Sequence, residues 1–536
     1  MDVQLNIWRL FSHASTHLYD VEIVTQTAPD SVFRYTFGDF SKRASSLMGA
    51  LDSLSLARGA RVATLSWNNY RHLECYFAIP CTGRVLHTLN ARLSTEDLIY
   101  IINDAKDEAL FFSSDLWPIV EKISSELLTV KHFVVMDTEI PQGAPLRVLS
   151  YEQLLSEHPS TYPEIDLNEN LDAGLCYTSG TTGRPKGALY THRSTYLHAM
   201  NCSSASGMSI GISDCVLPVV PMFHASAWGI VHAAIATGAK LVFSYPHLDP
   251  PSFVDLLIKE GVTMAAGVPT VWIALEAELR SRGTRPPMLR EILCGGSQPP
   301  KALIQRYQRD LDINIVQAWG MTETSPLASV SRPKHAMLKL SDSEKLDRVG
   351  GQAGIPAPSI DVALRDDDGN EVPWDGKHMA NLYIRGPWVI DSYLNGEGAE
   401  MFDNGWFKTG DVAIGSPDGY FVIADRTKDL VKSGGEWISS VDLEGSLMGL
   451  KGVAEAAVIA ISDERWQERP LACIVTMPGE SISLGQVHEH LTNDGFAHWQ
   501  LPDRIELIDQ VPRTSVGKFD KKALRARFEN YPNSRE

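Results

Sequence analysis

Short apolar runs alternate with longer amphipathic segments between residues 170 and 320. The short runs have the length of buried strands, whereas the longer segments repeat apolar residues at helical spacing, as Leu303, Ile304, Tyr307 and Leu311 do. The pattern predicts strands at Leu171–Tyr177, Val262–Ala266, Glu291–Cys294 and Ile313–Ala318, and helices at Thr191–Ser206, Pro269–Arg282 and Lys301–Leu311. This alternation indicates an α/β fold with largely parallel strands, in which ligands bind beyond the strand C-termini.

After about residue 350 the pattern changes to short strand-like runs between glycine-rich turns, which predicts a small β-rich subdomain. These runs are Asp361–Arg365, Asn381–Arg385 and Gly419–Ala424. The charged segment Asp425–Asp429 then indicates a domain boundary. Beyond it, a second and smaller α/β domain is predicted from helix and strand signals at Ser440–Met448, Ala454–Ile461, Leu471–Thr476 and Leu484–Asp494.

Length and charge narrow the possible functions. A chain of 536 residues exceeds one compact core, so at least two domains are expected. The net charge is −18, from 48 basic and 66 acidic residues, which argues against nucleic acid as a partner. A nucleotide site on such an acidic chain needs local cations and backbone N–H groups.

Cysteine usage and the apolar segments favour a cytoplasmic protein. The seven cysteines show no CxxC pair and no metal-ligand spacing, so we expect buried, reduced thiols. The N-terminal residues lack the pattern of a signal peptide. The apolar stretch Trp228–Phe243 contains His232 and Lys240 and is too short to span a membrane.

The segment Tyr177–Gly187 is the strongest candidate for a chemical site. Its three glycines allow backbone N–H groups to approach a ligand closely. A predicted strand leads into the segment and a predicted helix leads out, so the helix dipole would also favour an anion. The Gly-Lys-Ser/Thr ending of a Walker A loop is missing. The residues predicted to bind a triphosphate are Thr178, Ser179, Gly180, Thr181, Thr182, Gly183 and Lys186.

The segment Gln317–Thr324 is the second candidate. It follows a predicted strand and places a hydroxyl beside a carboxylate. Thr322 can bond an α-phosphate, and Glu323 can hold Mg²⁺, which prefers oxygen ligands and keeps most of its waters. Beside the glycine-rich segment, this pair indicates metal-assisted nucleotide chemistry.

Together these segments resemble the signatures of the acyl-adenylate-forming superfamily, which includes acyl-CoA synthetases, peptide-synthetase adenylation domains and beetle luciferases. The likeness covers nearly the whole chain, because further matches follow in the family's order at Gly295–Pro300, Trp406–Asp411, Asp425–Glu436 and Pro512–Lys518. It is greatest to medium- and long-chain fatty acyl-CoA synthetases, in Pro221–Trp228 and Val441–Pro470. One departure is Asp442, where relatives often have Glu.

The resemblance implies a two-step reaction with ATP, Mg²⁺ and coenzyme A. A carboxylate attacks ATP to give an acyl-adenylate and pyrophosphate, and coenzyme A then takes the acyl group and releases AMP. The family likeness assigns Asp411 to the ribose hydroxyls and Arg426 to the ribose or phosphate. It assigns the following residues to the rest of the nucleotide: Gly295, Gly296, Ser297, Gln317, Ala318, Trp319, Gly320 and Met321.

The resemblance also implies a moving lid. Residues 1–425 would bind ATP and the acid, residues 426–428 would form a hinge at Lys428, and residues 429–536 would form the lid. Lys518 would reach into the site during adenylation, and the lid would later present Gly434, Gly435 and Glu436 to coenzyme A. His224, Trp228 and Gly296 would border the acyl pocket. The residues expected to act in catalysis are Lys186, His224, Thr322, Glu323 and Lys518.

Several alternatives stay open at this point. The acid could instead be methylthio-propionate, an aryl acid or a steroid side-chain acid, and the chain could load a separate carrier protein. A luciferase-like oxidation of the adenylate is a rival that light emission or CO₂ release with oxygen would reveal. A nucleotide-binding regulator without catalysis is another, which acid-dependent ATP–pyrophosphate exchange would separate from an enzyme. A hydrolase is disfavoured because the G-x-S-x-G elbow is missing. The sequence leaves the oligomeric state open, a homodimer included.

Overall fold

The computed structural model of the protein describes residues 2–137, 140, 147–178, 184–244, 246, 249–434, 436–463, 465–514 and 518–528. In residues 2–178 the strands are β1 Glu22–Ala28, β2 Ser31–Thr36, β3 Arg61–Leu65, β4 Val85–Thr88, β5 Ala109–Phe112, β6 His132–Val135, β7 Val148–Ser150 and β8 Asp172–Thr178. The helices of this part are α1 Ile7–His17, α2 Phe37–Ser53, α3 Tyr70–Cys81, α4 Thr95–Ala105, α5 Trp117–Ile123 and α6 Tyr151–Ser156.

The middle of the chain continues the alternation of strands and helices. Its strands are β9 Lys186–Thr191, β10 Cys215–Pro218, β11 Lys240–Phe243, β12 Met264–Gly267, β13 Glu291–Cys294, β14 Asn314–Gly320, β15 Leu327–Val330 and β16 Ile355–Pro356. Its helices are α7 His192–Ser203, α8 Ile230–Thr237, α9 Pro250–Glu260, α10 Pro269–Arg282, α11 Lys301–Leu311 and α12 Asp342–Val349.

The last part of the chain is richer in strands. They are β17 Asp361–Arg365, β18 Met379–Arg385, β19 Phe402–Asp403, β20 Trp406–Gly415, β21 Phe421–Arg426, β22 Val431–Ser433, β23 Glu436–Ile438, β24 Val453–Asp463, β25 Gln467–Thr476 and β26 Arg504–Leu507. The helices are α13 Ser440–Leu447, α14 Leu484–Asn493 and α15 Lys521–Phe528.

Two large sheets form the N-terminal domain. One has the order β7-β6-β5-β3-β4-β8-β9, and the other has the order β16-β15-β14-β13-β12-β10-β11-β1-β2. The inner strands of both sheets are parallel, and antiparallel strands lie at their edges. A hydrophobic core of helices α1, α2, α3 and α8 lies between the sheets, while α4 and α5 cover one outer face and α9, α10 and α11 the other. The predicted α/β fold with largely parallel strands is therefore confirmed.

The β-rich subdomain and the smaller C-terminal domain each contain a sheet of their own. The subdomain sheet has the order β17-β18-β20-β19, with β21 beside β20. The C-terminal sheet has the order β23-β22-β25-β24, with β26 beside β25. Helices α13 and α14 pack on one face of the C-terminal sheet and α15 on the other.

Several predicted elements have the predicted bounds, among them α10, α11, β13 and β17. Helix α10 begins with Pro269, which suits the first turn, and ends before Gly283, whose φ of 60° suits a left-handed cap. The seven cysteines are all buried and free, as expected. In the part of the chain that the model describes, no helix is long and apolar enough to cross a membrane.

The helix predicted at Thr191–Ser206 is present as α7 His192–Ser203, which Thr191 caps. The strand before it was not predicted. Lys186 begins strand β9, which pairs antiparallel with β8 from Lys186 against Thr178 to Thr191 against Asp172. Helix α7 therefore starts one strand length after Lys186.

Candidate active site

A cavity of about 260 Å³ lies where the parallel strands β10, β12, β13 and β14 end. Residues just beyond these strands line it, including Val220, Val268 and Gly295. The β-rich subdomain and the C-terminal domain supply the remaining walls, through residues such as Tyr393 and Lys518. The position agrees with the expectation that ligands bind beyond the C-termini of a parallel sheet.

The glycine-rich segment reaches the cavity through its two described ends. Thr178 ends β8 and Lys186 begins β9, and both line the cavity. The Lys186 Nζ atom lies 3.5 Å from Glu400 Oε1, whose side chain is 73 % exposed. A triphosphate that approached Lys186 would therefore displace an exposed carboxylate, a weak competitor. The predicted positions Ser179, Gly180, Thr181, Thr182 and Gly183 lie outside the described residues.

Thr322 and Glu323 lie in a short 3₁₀ turn beside the cavity, after β14. Both residues line it, and their exposed fractions are 7 % and 6 %. The Tyr190 hydroxyl donates to the Thr322 carbonyl oxygen at 2.8 Å, which fixes the turn. The pKa of Glu323 is raised, because the effect of burial exceeds that of the hydrogen bond from Tyr393, which lowers it.

The carboxylate of Glu323 fits the role of a magnesium ligand. No cluster of three or more His, Cys, Asp or Glu side chains suited to a metal occurs among the residues that the model describes. A protein cage is not required, because Mg²⁺ at nucleotide sites is held by one or two carboxylates, substrate phosphates and waters. Glu323 supplies one such carboxylate at the wall of the cavity.

Lys518 of the C-terminal domain reaches the same cavity. Its Cε atom lies 3.5 Å from the position that a Cβ atom on Gly296 would occupy. The adjoining backbone is fixed by Thr514, whose N–H donates to the Lys518 carbonyl oxygen at 2.8 Å. Burial, followed by the nearby charge of Arg426, lowers the pKa of Lys518 to about 8.

A pH dependence follows from the lowered pKa of Lys518. The protonated ammonium predominates below about pH 8 and is lost above it. Since the proposed task of this side chain requires a positive charge, kcat/KM for ATP in ATP–pyrophosphate exchange should fall about tenfold per unit above that pH. The measurement is a pH profile of the exchange reaction, with thioester formation from a supplied acyl-adenylate as the comparison. A flat exchange profile up to pH 10 would contradict the prediction.

Arg426 and Asp411, which are predicted to bind the nucleotide, form an ion pair at the wall of the cavity. The Arg426 Nε atom lies 2.6 Å from Asp411 Oδ1, and the Trp319 indole N–H donates to Asp411 Oδ2 at 3.2 Å. Arg426 and Trp319 line the cavity, whereas the buried Asp411 lies behind them. Neighbouring donors thus face both carboxylate oxygens, and the assignment of Asp411 to the ribose hydroxyls stays a prediction.

Several apolar side chains also line the cavity. Met208, Val268 and Leu327 do so, together with Trp228 and His224. Burial, followed by the charge of Lys518, lowers the pKa of His224 to about 4. His224 is therefore a neutral imidazole at physiological pH and adds no charge to the cavity.

The turn that carries Trp228 is left-handed. The φ angles of Ser226, Ala227 and Trp228 are 54°, 48° and 57°, a conformation that costs about 1–2 kcal/mol per residue. The indole is buried, and its Cη2 atom lies 2.9 Å from the position of a Cβ atom on Gly295. A side chain at Gly295 would therefore displace the indole.

The remaining predicted positions divide into two groups. Gly296, Ala318, Gly320 and Met321 line the cavity, and Gly320 has no room for a Cβ atom, which would lie 1.8 Å from the Pro326 carbonyl oxygen. Among the described residues that line the cavity, Ser297 and Gln317 do not appear. Ser297 is exposed in the turn after β13, and Gln317 is buried within β14.

The positions predicted for coenzyme A lie elsewhere in this domain arrangement. Gly434 has a φ of 62° and lies against the ring of Trp466, and Glu436 is exposed at the start of β23. Neither lines the described part of the cavity, where Thr514 and Lys518 represent the C-terminal domain instead. Gly435 lies outside the described residues.

The predicted hinge lies between two sheets. Strand β21 ends at Arg426 and β22 begins at Val431, with Lys428 exposed between them. Contacts across this boundary include the Ser440 N–H, which donates to Asp425 Oδ2 at 2.8 Å. The assignment of Lys428 as the hinge stays a prediction.

Sequence reasoning missed four polar residues that line the cavity: Tyr393, Glu400, Thr409 and Thr514. Tyr393 and Glu400 lie in the irregular segment after β18, and Thr409 lies within β20. Thr409 belongs to the quoted Trp406–Asp411 segment, so its hydroxyl was visible beside Asp411. Tyr393 and Glu400 carry no local signal, because their partners Glu323 and Lys186 are distant in the sequence.

Two family models match the chain: that of the AMP-binding enzymes over residues 11–394, and that of the AMP-binding enzyme C-terminal domain over residues 442–518. A long-chain-fatty-acid–CoA ligase of Thermus thermophilus is 45% identical over 99% of this chain and 97% of its own length. A 3-methylmercaptopropionyl-CoA ligase of Ruegeria lacuscaerulensis is 40% identical over 99% of this chain and 98% of its own. The solved structure of an anthranilate CoA ligase in complex with anthranoyl-AMP has the same fold, with a TM-score of 0.88 at 23% identity over 99% of this chain and 98% of that chain.

Proposed function

Because the chain belongs to the family of AMP-binding enzymes, we propose that it activates a medium- or long-chain fatty acid and transfers the acyl group to coenzyme A. It is an AMP-forming acid–CoA ligase that uses ATP and coenzyme A. The observation that supports the proposed residue roles best is the convergence of Lys186, Glu323 and Lys518 on one cavity. These side chains come from separate parts of the chain and provide two cations and a carboxylate where a nucleotide triphosphate would bind.

In the first half-reaction the substrate carboxylate attacks the α-phosphorus of ATP and expels pyrophosphate. Little covalent chemistry is left to the protein, so positioning and charge neutralisation carry the step. Lys518 lines the cavity, where it can bind both the attacking carboxylate and the α-phosphate. Thr322 can donate to the α-phosphate, and Lys186 can bind the departing phosphates. When bound, Mg²⁺ would supply further neutralisation of the phosphate charge, with Glu323 as its ligand from the protein.

The second half-reaction requires a different set of residues at the acyl carbon. In the present arrangement Lys518 occupies the cavity, while Gly434 and Glu436 lie outside its described wall. We propose that the domain formed by residues 429–536 rotates about Lys428 after adenylation, withdraws Lys518 and brings the Gly434 region to the thiol of coenzyme A. An exposed, charged hinge residue stays solvated in both orientations, which suits such a rotation.

The proposed acid is uncharged apart from its carboxylate. Among the described residues that line the cavity, the charged side chains are Lys186, Glu323, Glu400, Arg426 and Lys518, and only Lys518 is assigned to the acid, at its carboxylate. Apolar side chains and a neutral imidazole also line the cavity, and they favour an aliphatic chain over a second carboxylate. A sulfur-containing short acid is the second candidate, because a relative at 40% identity is a 3-methylmercaptopropionyl-CoA ligase.

A screen for coenzyme A-dependent AMP release tests this proposal. The acids are acetate through palmitate, methylthio-propionate, benzoate, a steroid acid and the dicarboxylate succinate. We expect the highest kcat/KM for an aliphatic acid of medium or long chain and no activity with succinate. Release of AMP with methylthio-propionate but not with the longer acids would select the second candidate. Absence of AMP release with every acid offered would contradict the proposed substrate class.

The size of the side chain at position 228 should set the preferred chain length. Trp228→Ala removes the indole that lines the cavity beside Gly295. Each additional methylene group that enters the freed space contributes about 0.8 kcal/mol, which is about fourfold in kcat/KM. We therefore expect the preference to shift towards longer acids, as measured by kcat/KM across the homologous series. Trp228→Phe serves as the intermediate variant, and an unchanged preference in both variants would exclude Trp228 from the acyl pocket.

A further inference from the structure

Tyr393 lies between Glu323, the proposed magnesium ligand, and Lys186, the proposed phosphate-binding residue. It follows β18 in the β-rich subdomain, and its side chain is buried, with 6% of the residue exposed. Its ring is held edge-on by Phe402 and Phe407, at centroid distances of 5.9 and 6.3 Å. The ring is thus fixed by packing before any ligand binds.

The hydroxyl of Tyr393 donates to Glu323 Oε1 at 2.6 Å. The same segment also holds the backbone of Glu323, because the Ile390 N–H donates to the Glu323 carbonyl oxygen at 2.9 Å. Glu323 is therefore fixed at both its main chain and its side chain. Oε1 accepts one hydrogen bond from the tyrosine, so the carboxylate keeps acceptor sites on both oxygens for a further ligand.

The ring of Tyr393 also faces Lys186. The Lys186 Nζ atom lies 5.5 Å from the ring centroid, within the range of a cation–π contact. Such a contact orients an ammonium group without neutralising its charge, whereas the second neighbour, Glu400, is exposed. The backbone at Gly398 packs closely against this pair, because a Cβ atom on Gly398 would lie 2.9 Å from both Lys186 Nζ and Tyr393 Cδ2.

We propose that Tyr393 is a positioning residue for the Mg²⁺–ATP complex. Its hydroxyl orients the Glu323 carboxylate towards the metal, and its ring orients the Lys186 ammonium towards the phosphates. The proposal rests on the proposed function, in which Glu323 and Lys186 bind the metal and the phosphates. Outer residues of this kind commonly change metal affinity by about 10–100-fold when they are removed.

Two substitutions separate the two contacts. Tyr393→Phe keeps the ring beneath Lys186 and removes the hydrogen bond to Glu323, whereas Tyr393→Leu removes both. The readout is the affinity of the protein for ATP, measured by calorimetry with Mg²⁺ and again in EDTA, without any acid present. We expect Tyr393→Phe to weaken binding about tenfold with Mg²⁺ and to leave it unchanged in EDTA. We expect Tyr393→Leu to weaken binding under both conditions.

A double-mutant cycle tests whether the hydroxyl acts through Glu323. In the Glu323→Gln background, Tyr393→Phe should cause no further loss of Mg²⁺-dependent affinity, because the carboxylate that it orients is already gone. Tyr307→Phe is the matched control, since that buried hydroxyl donates to the Trp272 carbonyl oxygen at 2.6 Å, away from the cavity. This control should lower the unfolding temperature without any Mg²⁺-dependent change in ATP affinity.

The outcomes distinguish this proposal from the proposed function. If Tyr393→Phe weakens ATP binding equally with and without Mg²⁺, or adds its full effect to that of Glu323→Gln, the tyrosine has a structural role and the proposal is overturned. If Glu323→Gln itself leaves Mg²⁺-dependent binding unchanged, the metal role of Glu323 fails, and the inference about Tyr393 fails with it. An intact effect of Glu323→Gln with no effect of Tyr393→Phe rejects the positioning role alone.

Discussion

Replacement of Lys518 with alanine should abolish acyl-adenylate formation and leave thioester formation from a supplied acyl-adenylate intact. In the present domain arrangement Lys518 lines the cavity with Glu323 and Arg426. Loss of one well-placed donor to a developing negative charge costs about 10²–10³-fold in rate. Acid-dependent ATP–pyrophosphate exchange measures the first half-reaction, and coenzyme A consumption with synthetic acyl-adenylate measures the second.

The adjacent helix provides the control for this variant. Lys522→Ala removes an exposed lysine of α15 and should leave both half-reactions at the rate of the unsubstituted protein. Equal loss of both half-reactions in Lys518→Ala would refute the assigned role, since a residue needed for adenylation alone cannot affect an adenylate that is already made.

Replacement of Glu323 with glutamine should have the second large effect, on adenylation and on its Mg²⁺ requirement. The substitution keeps the size of the side chain and its contact with Tyr393 but removes the negative charge beside the triphosphate. We expect kcat/KM for ATP in pyrophosphate exchange to fall about 10²-fold or more, because a poorly held metal neutralises less phosphate charge. Titration of the exchange rate with Mg²⁺ should show saturation at a higher concentration.

Substitution of a second buried glutamate, Glu276, is the control that separates the effect on adenylation from a general loss of stability. Glu276 is buried, with 5% of the residue exposed. Its carboxylate in helix α10 accepts a hydrogen bond from Arg306 Nε in helix α11 at 2.7 Å, on an outer face of the nine-stranded sheet. Glu276→Gln should lower the unfolding temperature but preserve the exchange rate of the folded protein. If Glu323→Gln retained both the exchange rate and the Mg²⁺ dependence, Glu323 would not be the metal ligand.

The predictions from periodicity succeeded where one face of a segment is clearly apolar. Lys301–Leu311 became a helix with Leu303, Ile304 and Tyr307 buried, as the 3.6-residue spacing indicates. The sequence pattern of Lys186–Thr191 did not indicate a strand, because this segment is short and lies directly before a helix. Its strand conformation depends on pairing with β8, a contact that joins the two ends of the glycine-rich loop and that local propensity does not specify.

The candidate site was predictable to the extent that chemistry is concentrated in short motifs. Lys186, Thr322 and Glu323 could be identified because hydroxyl, carboxylate and ammonium groups lie beside glycines and strand ends. Tyr393 could not be identified in this way, because a tyrosine in an irregular segment has no distinctive neighbours in sequence. Its significance arises from a hydrogen bond to a residue 70 positions earlier.

The sequence by itself determined the α/β class, the bounds of the strongly periodic elements and the chemical groups that a nucleotide and an acid would meet. These features depend on local spacing and on residue type, both of which are readable along the chain. Only the tertiary structure decided that strand β9 precedes helix α7 and that Tyr393 contacts Glu323 and Lys186. Each of these depends on how sheets and domains pack, and that packing brings together residues whose separation in sequence carries no information about their distance in space.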